Sequence, residues 1–216
     1  VKDSLPDGVR WACAPLAGWA QRATGAPESW GLSADETARA AAFTSDAARI
    51  RFVAGRLAAR EVAAGWLGLI PQNVSVLSEC PRCGVSGHGR PTLHRLTPDG
   101  EVGEALAQLS LSRAGGHVLL AMAPLGVSLG ADLVELSDPA FDSSDPGYVG
   151  RAAIWALAEA RGKAAGTGIV SGEPPAQPHE WVGEAAPGML VAVVARKNSP
   201  CLTTSQTFPG EAGVGQ

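Results

Sequence analysis

Apolar residues recur at helical spacing twice in the first third of the chain. Ser33 precedes Glu36 by three residues, the signature of a capping box that opens a helix. Asp46 opens a second, longer pattern: Ile50, Val53, Leu57 and Ala58 share one stripe, and Val62 extends it. Gly65 and Gly68 mark its end, and Pro71 follows. The period then shortens. Strand-like runs are predicted over 74–77, 92–96, 108–112, 117–123 and 126–136, with a turn at 97–101. Residues 79–91 read as a loop of breakers, and 139–150 as a polar loop. A helix is predicted over 151–165, stopped by Gly166 and Gly168. The Pro-rich stretch 171–187 reads as a loop, and 189–195 as a buried strand. Each half thus has one long helix and a few strands, which predicts an α+β protein.

Composition narrows the picture. The chain has 216 residues, 45% hydrophobic and 18% charged, with a net charge of −4. That supports one sizeable core or two halves of roughly 100 residues each, and argues against disorder. No apolar stretch approaches the roughly 18–20 residues of a membrane span, so no membrane partner is expected. Mild acidity argues against a dedicated nucleic-acid binder. Cys13, Cys80, Cys83 and Cys201 are too scattered for a disulfide framework, and the first twenty residues lack the apolar core of a secretion signal. The expectation is a reducing, cytoplasmic setting. Arg outnumbers Lys, and Ala and Gly are abundant, which reflects a GC-rich genome more than a function.

The chemistry gathers in GADLVEL (130–136) and WALAEARGKAAGTG (155–168). Asp132 stands in an otherwise apolar strand, where a carboxylate must be paired, lie at an end, or bind a cation. Alternation puts Asp132 and Val134 on one face and Glu135 on the other. Glu159 and Lys163 are four apart on one helical face; alone, such a pair reads as a surface ion pair. Together, an Asp from a strand and a Glu from a helix can hold Mg²⁺, which takes one or two carboxylates plus substrate phosphate oxygens and water. A Lys one turn along can neutralise charge on a transferring phosphate.

These residues resemble the 4′-phosphopantetheinyl transferases, which move the phosphopantetheine arm of coenzyme A to a serine of a carrier protein. The family's G-x-D strand motif matches Gly130-Ala131-Asp132, and its W-x-x-K-E-A-x-x-K-A-x-G-x-G helix motif matches residues 155–168. Upstream, RFVAGRLAAR (51–60) is similar to the family's F-x-x-G-R helix, HGRP (88–91) to its G-[KR]-P turn, and SLSR (110–113) to its S-x-S-H. The similarity runs from about residue 32 to about 168. Length and motif order suit the larger type, which includes the surfactin-activating enzymes. The resemblance implies two similar subdomains with a pseudo-twofold relation and an active site in the cleft between them. It assigns 1–108 to a coenzyme A grip, 109–200 to the metal and catalytic residues, and leaves 201–216 as a flexible tail.

By the same resemblance, Asp132 and Glu159 bind Mg²⁺, with Mn²⁺ as an alternative. Glu159, or a water it holds, takes the proton of the carrier serine, and Lys163 stabilises charge on the phosphate and leaving group. Arg56, Arg90, Ser112 and Arg113 contact coenzyme A. Arginine suits that task because its planar fork grips phosphate at two points. The partner is an acyl or peptidyl carrier protein, and the chain is expected to work as a monomer.

The sequence departs from the family pattern at three places. Arg113 replaces a histidine, Ala158 replaces the lysine before the helical Glu, and Val134 stands where the larger type has a second acid. The alternative they raise is an inactive or repurposed homologue that binds coenzyme A or a carrier protein, or acts on a pathway intermediate. Cys80, Cys83 and His88 resemble half of a zinc site, for which the rival reading is a loop with two free thiols. Trp11, Trp19, Trp30, Trp66 and Trp181 read as packing residues, and Ile154, Trp155 and Leu157 as the packed side of their helix.

Overall fold

The computed structural model describes residues 5–26, 30–79, 86–141, 143–167 and 176–198. Strand β1 (Arg10–Pro15) and short helix α1 (Ala17–Ala23) come first. Helix α2 (Ala34–Ala41) opens as its sequence predicts. The Ser33 hydroxyl accepts from the Glu36 N–H at 3.3 Å, and the Glu36 carboxylate accepts from the Ser33 N–H at 3.0 Å. Helix α3 (Asp46–Leu67) starts at Ser45, whose hydroxyl caps Ala48, and stops at Gly68. Gly68 has φ +67°, a left-handed conformation that glycine adopts without penalty.

Strands β2 (Val74–Glu79), β3 (Ser86–Leu96), β4 (Val102–Ala114) and β5 (His117–Ala123) join β1 in an antiparallel sheet of order β1-β5-β4-β3-β2. Strand β6 (Val127–Glu135) begins a second sheet. Helix α4 (Tyr148–Ala165) follows it, then β7 (His179–Ala186) and β8 (Met189–Lys197), in the order β6-β8-β7, again antiparallel. Among the described residues the architecture is therefore α+β with two antiparallel sheets.

Alternation along the strands builds the layers. Leu120 and Met122 of β5 face α3, together with Leu109 of β4. Leu119, Ala121 and Ala123 point the other way and meet Leu129, Leu133 and Val193 of the second sheet. On that sheet's far side, Val134, Leu190 and Val194 meet Ala152, Ala156, Ala160 and Ala164 of α4. Those four alanines recur every four residues, so α4 lies close upon β6 and β8. The order through the molecule is α3, five-stranded sheet, three-stranded sheet, α4. Trp11 and Trp181 join the sheets at one edge, with ring centroids 4.8 Å apart.

Several expectations need correction. The boundary at 108/109 falls inside β4, which is hydrogen-bonded as one strand to β5 from Gln108 to Ala114. The sheets change instead in the turn between β5 and β6. Residues 179–186, read as loop, form β7, whose apolar residues fall in adjacent pairs, Trp181-Val182 and Ala185-Ala186, and so show no alternation. Strand β3 starts at Ser86, inside the expected 79–91 loop. Ile154 and Trp155 are not packed: they are 62% and 52% exposed. The tail 201–216 and Cys80 and Cys83 of the half-site lie outside the described residues, while His88 falls within β3. Among the described residues, no helix is long and apolar enough to cross a membrane.

Candidate active site

Gly130 brings the two motifs of the second half together. A Cβ built there would lie 1.8 Å from the Ala160 carbonyl oxygen and 2.6 Å from the Ala164 nitrogen. Only glycine lets the α4 backbone rest directly on β6. That contact sets Lys163 over Asp132, two residues along the strand. Lys163 Nζ donates to Asp132 Oδ1 at 2.6 Å and to the Ala131 carbonyl at 3.1 Å. Ser112 of β4 donates its hydroxyl to the same Oδ1 at 2.7 Å. Ser110, two residues earlier, accepts from the Ala131 N–H at 2.9 Å and so caps the free edge of β6. Asp132 is buried, and its charge is met by one lysine and one hydroxyl, as a buried carboxylate requires.

Glu159 lies one turn before Lys163 on the same face of α4, half-buried. Among the described residues it has no hydrogen-bond or ion-pair partner. The expected surface pair between Glu159 and Lys163 does not form, because Lys163 reaches Asp132 instead. Glu135 points away from Asp132, as the alternation predicts. Its carboxyl fills the space beside Gly115 in the β4–β5 turn, where an added Cβ would lie 2.7 Å from it.

A cleft of about 400 Å³ opens next to this cluster, lined by Arg90, Ser110, Leu111, Gly162, Lys163 and Thr167 among others. Arg90, on β3, closes its far wall. Its Nη1 donates to Ser128 Oγ at 3.0 Å and to the Ala164 carbonyl at 3.1 Å. Ala164 lies in the last turn of α4, whose free carbonyls carry partial negative charge, so a guanidinium is favoured there. Arg90 therefore ties the five-stranded sheet to the C-terminal end of α4.

Arg113 lies on the opposite face of β4 from Ser112. It crosses to α3, where Nη1 donates to the Arg51 carbonyl at 2.7 Å. Gly55 leaves the room: a Cβ there would come within 3.1 Å of Arg113 Nη1. Burial, then the charges of Arg51 and Arg39, push the Arg113 guanidinium below its ordinary range. Arg51 and Arg113 line a second cavity of about 620 Å³ with Phe43, Phe52, Ala48 and His117.

Arg56 has a different setting. It is enclosed against the Phe52 ring, 5.1 Å from the centroid, and its Nε lies 4.0 Å from Glu36 Oε1. Burial pushes its guanidinium down to about 10, against the pull of Glu36 and with a further push from Arg39 and Arg113. Glu36 is 3% exposed and serves as a hub. Besides its own helix cap it meets Arg60 Nη1 at 3.4 Å and the Val76 N–H at 3.4 Å. It thus ties α2 to α3 and β2.

The structure therefore brings Asp132, Ser112 and Lys163 into contact, with Glu159 one turn away and Arg90 in the adjoining cleft. It sets Arg113 in the second cavity and encloses Arg56 beside Glu36. Sequence reasoning missed Arg39 and Arg51 beside Arg113. The available signal was Gly55, one turn after Arg51, where a small residue on a long helix marks a close approach. Among the described residues, no three His, Cys, Asp or Glu side chains are grouped to hold a metal ion. Asp132 and Glu159 are carboxylates, the donor type that Mg²⁺ takes in ones or twos beside phosphate and water. The arrangement holds a buried carboxylate met by a lysine and a hydroxyl, a second carboxylate one helical turn from that lysine, and the cations Arg90 and Lys163 lining a cleft. In comparisons with known proteins, the chain matches no family model and no curated protein is significantly similar to it.

Proposed function

We propose that this chain is a 4′-phosphopantetheinyl transferase that acts on acyl or peptidyl carrier proteins in the cytoplasm, as a monomer. The observation that carries the reading is the meeting of Asp132, Ser112 and Lys163 on one carboxylate oxygen, beside a cleft lined by Arg90. Three segments that resemble separate motifs of that family thereby face one another. Two sheet-and-helix units stacked sheet to sheet suit the family's two-subdomain fold.

In this reading Asp132 and Glu159 hold Mg²⁺, which supplies electrophilic polarisation of the coenzyme A pyrophosphate. Lys163 and Arg90 bind phosphate oxygens in the cleft, and Arg113 with Arg51 offers a second anion grip. Among the described residues Glu159 has no hydrogen-bond or ion-pair partner, and in this reading it takes the proton of the carrier serine. The serine oxygen bonds to the β-phosphorus, and the bond to the α-phosphate oxygen breaks. Adenosine 3′,5′-bisphosphate leaves with that electron pair, beside the positive charge of Lys163. Catalysis is then positioning plus charge neutralisation, as in phosphoryl transfer generally.

A second reading is a coenzyme A-binding protein without turnover. Asp132 Oδ1 already satisfies both Ser112 and Lys163, an arrangement that is stable without a cation. Calorimetric titration with coenzyme A, with and without Mg²⁺, separates the two readings when run beside an assay for adenosine 3′,5′-bisphosphate released into solution in the presence of an apo carrier. Mg²⁺-dependent binding with release supports the transferase. Binding without release supports the second reading, and neither result would sink both.

A further inference from the structure

Lys163 donates to the carboxylate that the resemblance assigns to a divalent cation. Its side chain is 30% exposed, whereas that of Asp132 is 9% exposed. The lysine end of the pair thus borders solvent and the cleft, while the carboxylate is fixed by Ser112 and its strand. A cation approaching Asp132 meets the ammonium first. Among the described residues Glu159, one turn earlier, has no such guard. We infer that Lys163 is a displaceable counter-ion that holds the Asp132 site closed to divalent cations until a phosphate draws it away.

The lysine that neutralises Asp132 in the resting chain is then the same group that meets coenzyme A phosphate in the cleft. Its ammonium reaches Asp132 Oδ1 and the Ala131 carbonyl from the last turn of α4, and rotation of a four-carbon stem suffices to turn it into the cleft. Metal and phosphate binding are coupled through one side chain, because the phosphate supplies the anion that Lys163 gives up. Lys163's gating role rests on the transferase reading in one respect, the cation at Asp132 and Glu159.

Mn²⁺ alone, titrated into the full chain by electron paramagnetic resonance, tests this without any turnover. Lys163→Gln keeps a hydrogen-bonding side chain and removes the charge. It is expected to bind Mn²⁺ about tenfold or more tightly than wild type, since a positive charge about 4 Å from the cation is gone. Equal or weaker binding overturns the inference. Adding Asp132→Asn to that variant should abolish the gain; a gain that persists lies elsewhere and also overturns it.

A second readout needs no variant. The chain has three lysines, Lys2, Lys163 and Lys197, so acetylation mapped by mass spectrometry reports each amine separately. Mn²⁺ should raise labelling of Lys163 several-fold and leave Lys197 unchanged. Unchanged labelling of Lys163 at saturating Mn²⁺ contradicts the gate. Failure of the two ideas is distinguishable: wild type that modifies a carrier while Lys163→Gln gains no Mn²⁺ affinity leaves the transferase and removes the gate. A variant that gains affinity in a protein without transfer does the reverse.

Discussion

Gly130 has no room for a side chain, because a Cβ would sit 1.8 Å from the Ala160 carbonyl oxygen. Gly130→Ala must push α4 off β6 and separate Lys163 from Asp132. A loss of at least about 3 kcal/mol in urea unfolding is expected. Gly65, on the surface of α3 with nothing within 4 Å of an added Cβ, is the control. Gly65→Ala should stabilise by about 0.5–1 kcal/mol. Glu36 is as sensitive for a different reason. Removing it leaves Arg60, 3% exposed, without its carboxylate, so Glu36→Ala should cost about 3–5 kcal/mol by the same measurement. Asp132→Asn and Glu159→Gln test the proposed chemistry. Each should lower Mg²⁺-dependent transfer by about 100-fold or more while the circular dichroism spectrum stays unchanged. Wild-type turnover in either would remove that residue from the site. At this scale the sequence was informative about the Ser33–Glu36 cap, which follows from local spacing, whereas the partner of Lys163 is Asp132, 31 residues away, and not Glu159 one turn along its own helix. The sequence was silent on the Glu36 hub and on Arg51 beside Arg113, which depend on elements distant in the chain.

Helix α4 is held at each side by an arginine of different origin. Arg90 reaches its last turn from β3, and Arg161 on the helix itself grips Glu180 of β7 through two 2.8 Å contacts. The Arg161 hydrogen bonds hold the Glu180 carboxyl below its ordinary range, outweighing its partial burial. A carboxyl with a lowered folded pKa adds stability above its unfolded value and loses it as pH falls through the folded one. Glu180→Gln should therefore be less stable than wild type at pH 7. The gap should narrow below about pH 4.3 and close at lower pH, as followed by thermal melts across that range. A gap independent of pH would mean that Glu180 acts through packing. Helix α3 was legible from its apolar stripe and glycine stop, and α4 from its glycine stop, whereas the face of α4 that packs is its alanine stripe and not Ile154 and Trp155. Strand β7 was not, because HEWVGEAA is an edge strand paired with β8 alone and its apolar residues fall in adjacent pairs and not in alternation.

For the whole molecule, the stacking of two sheets places the β4 serines against β6 and creates the cleft beside Lys163. The α+β class followed from alternating runs and helical stripes. The layering did not, since it depends on which faces of β4, β5 and β6 meet, and local period cannot say that. The expected boundary at 108/109 lies within β4, which serves both sides, offering Leu109 to α3 and Ser112 to Asp132. A strand that belongs to one sheet and completes the other's site has no compositional edge to mark it. The central claim is that this shared site moves phosphopantetheine. The most direct measurement is the intact mass of an apo carrier protein after incubation with the full chain, coenzyme A and Mg²⁺. The account predicts a gain of about 340 Da, the arm attached through the attacked phosphorus, lost when Asp132→Asn replaces wild type. No gain on any of several acyl and peptidyl carriers, from a chain that is folded and supplied with Mg²⁺, would contradict it.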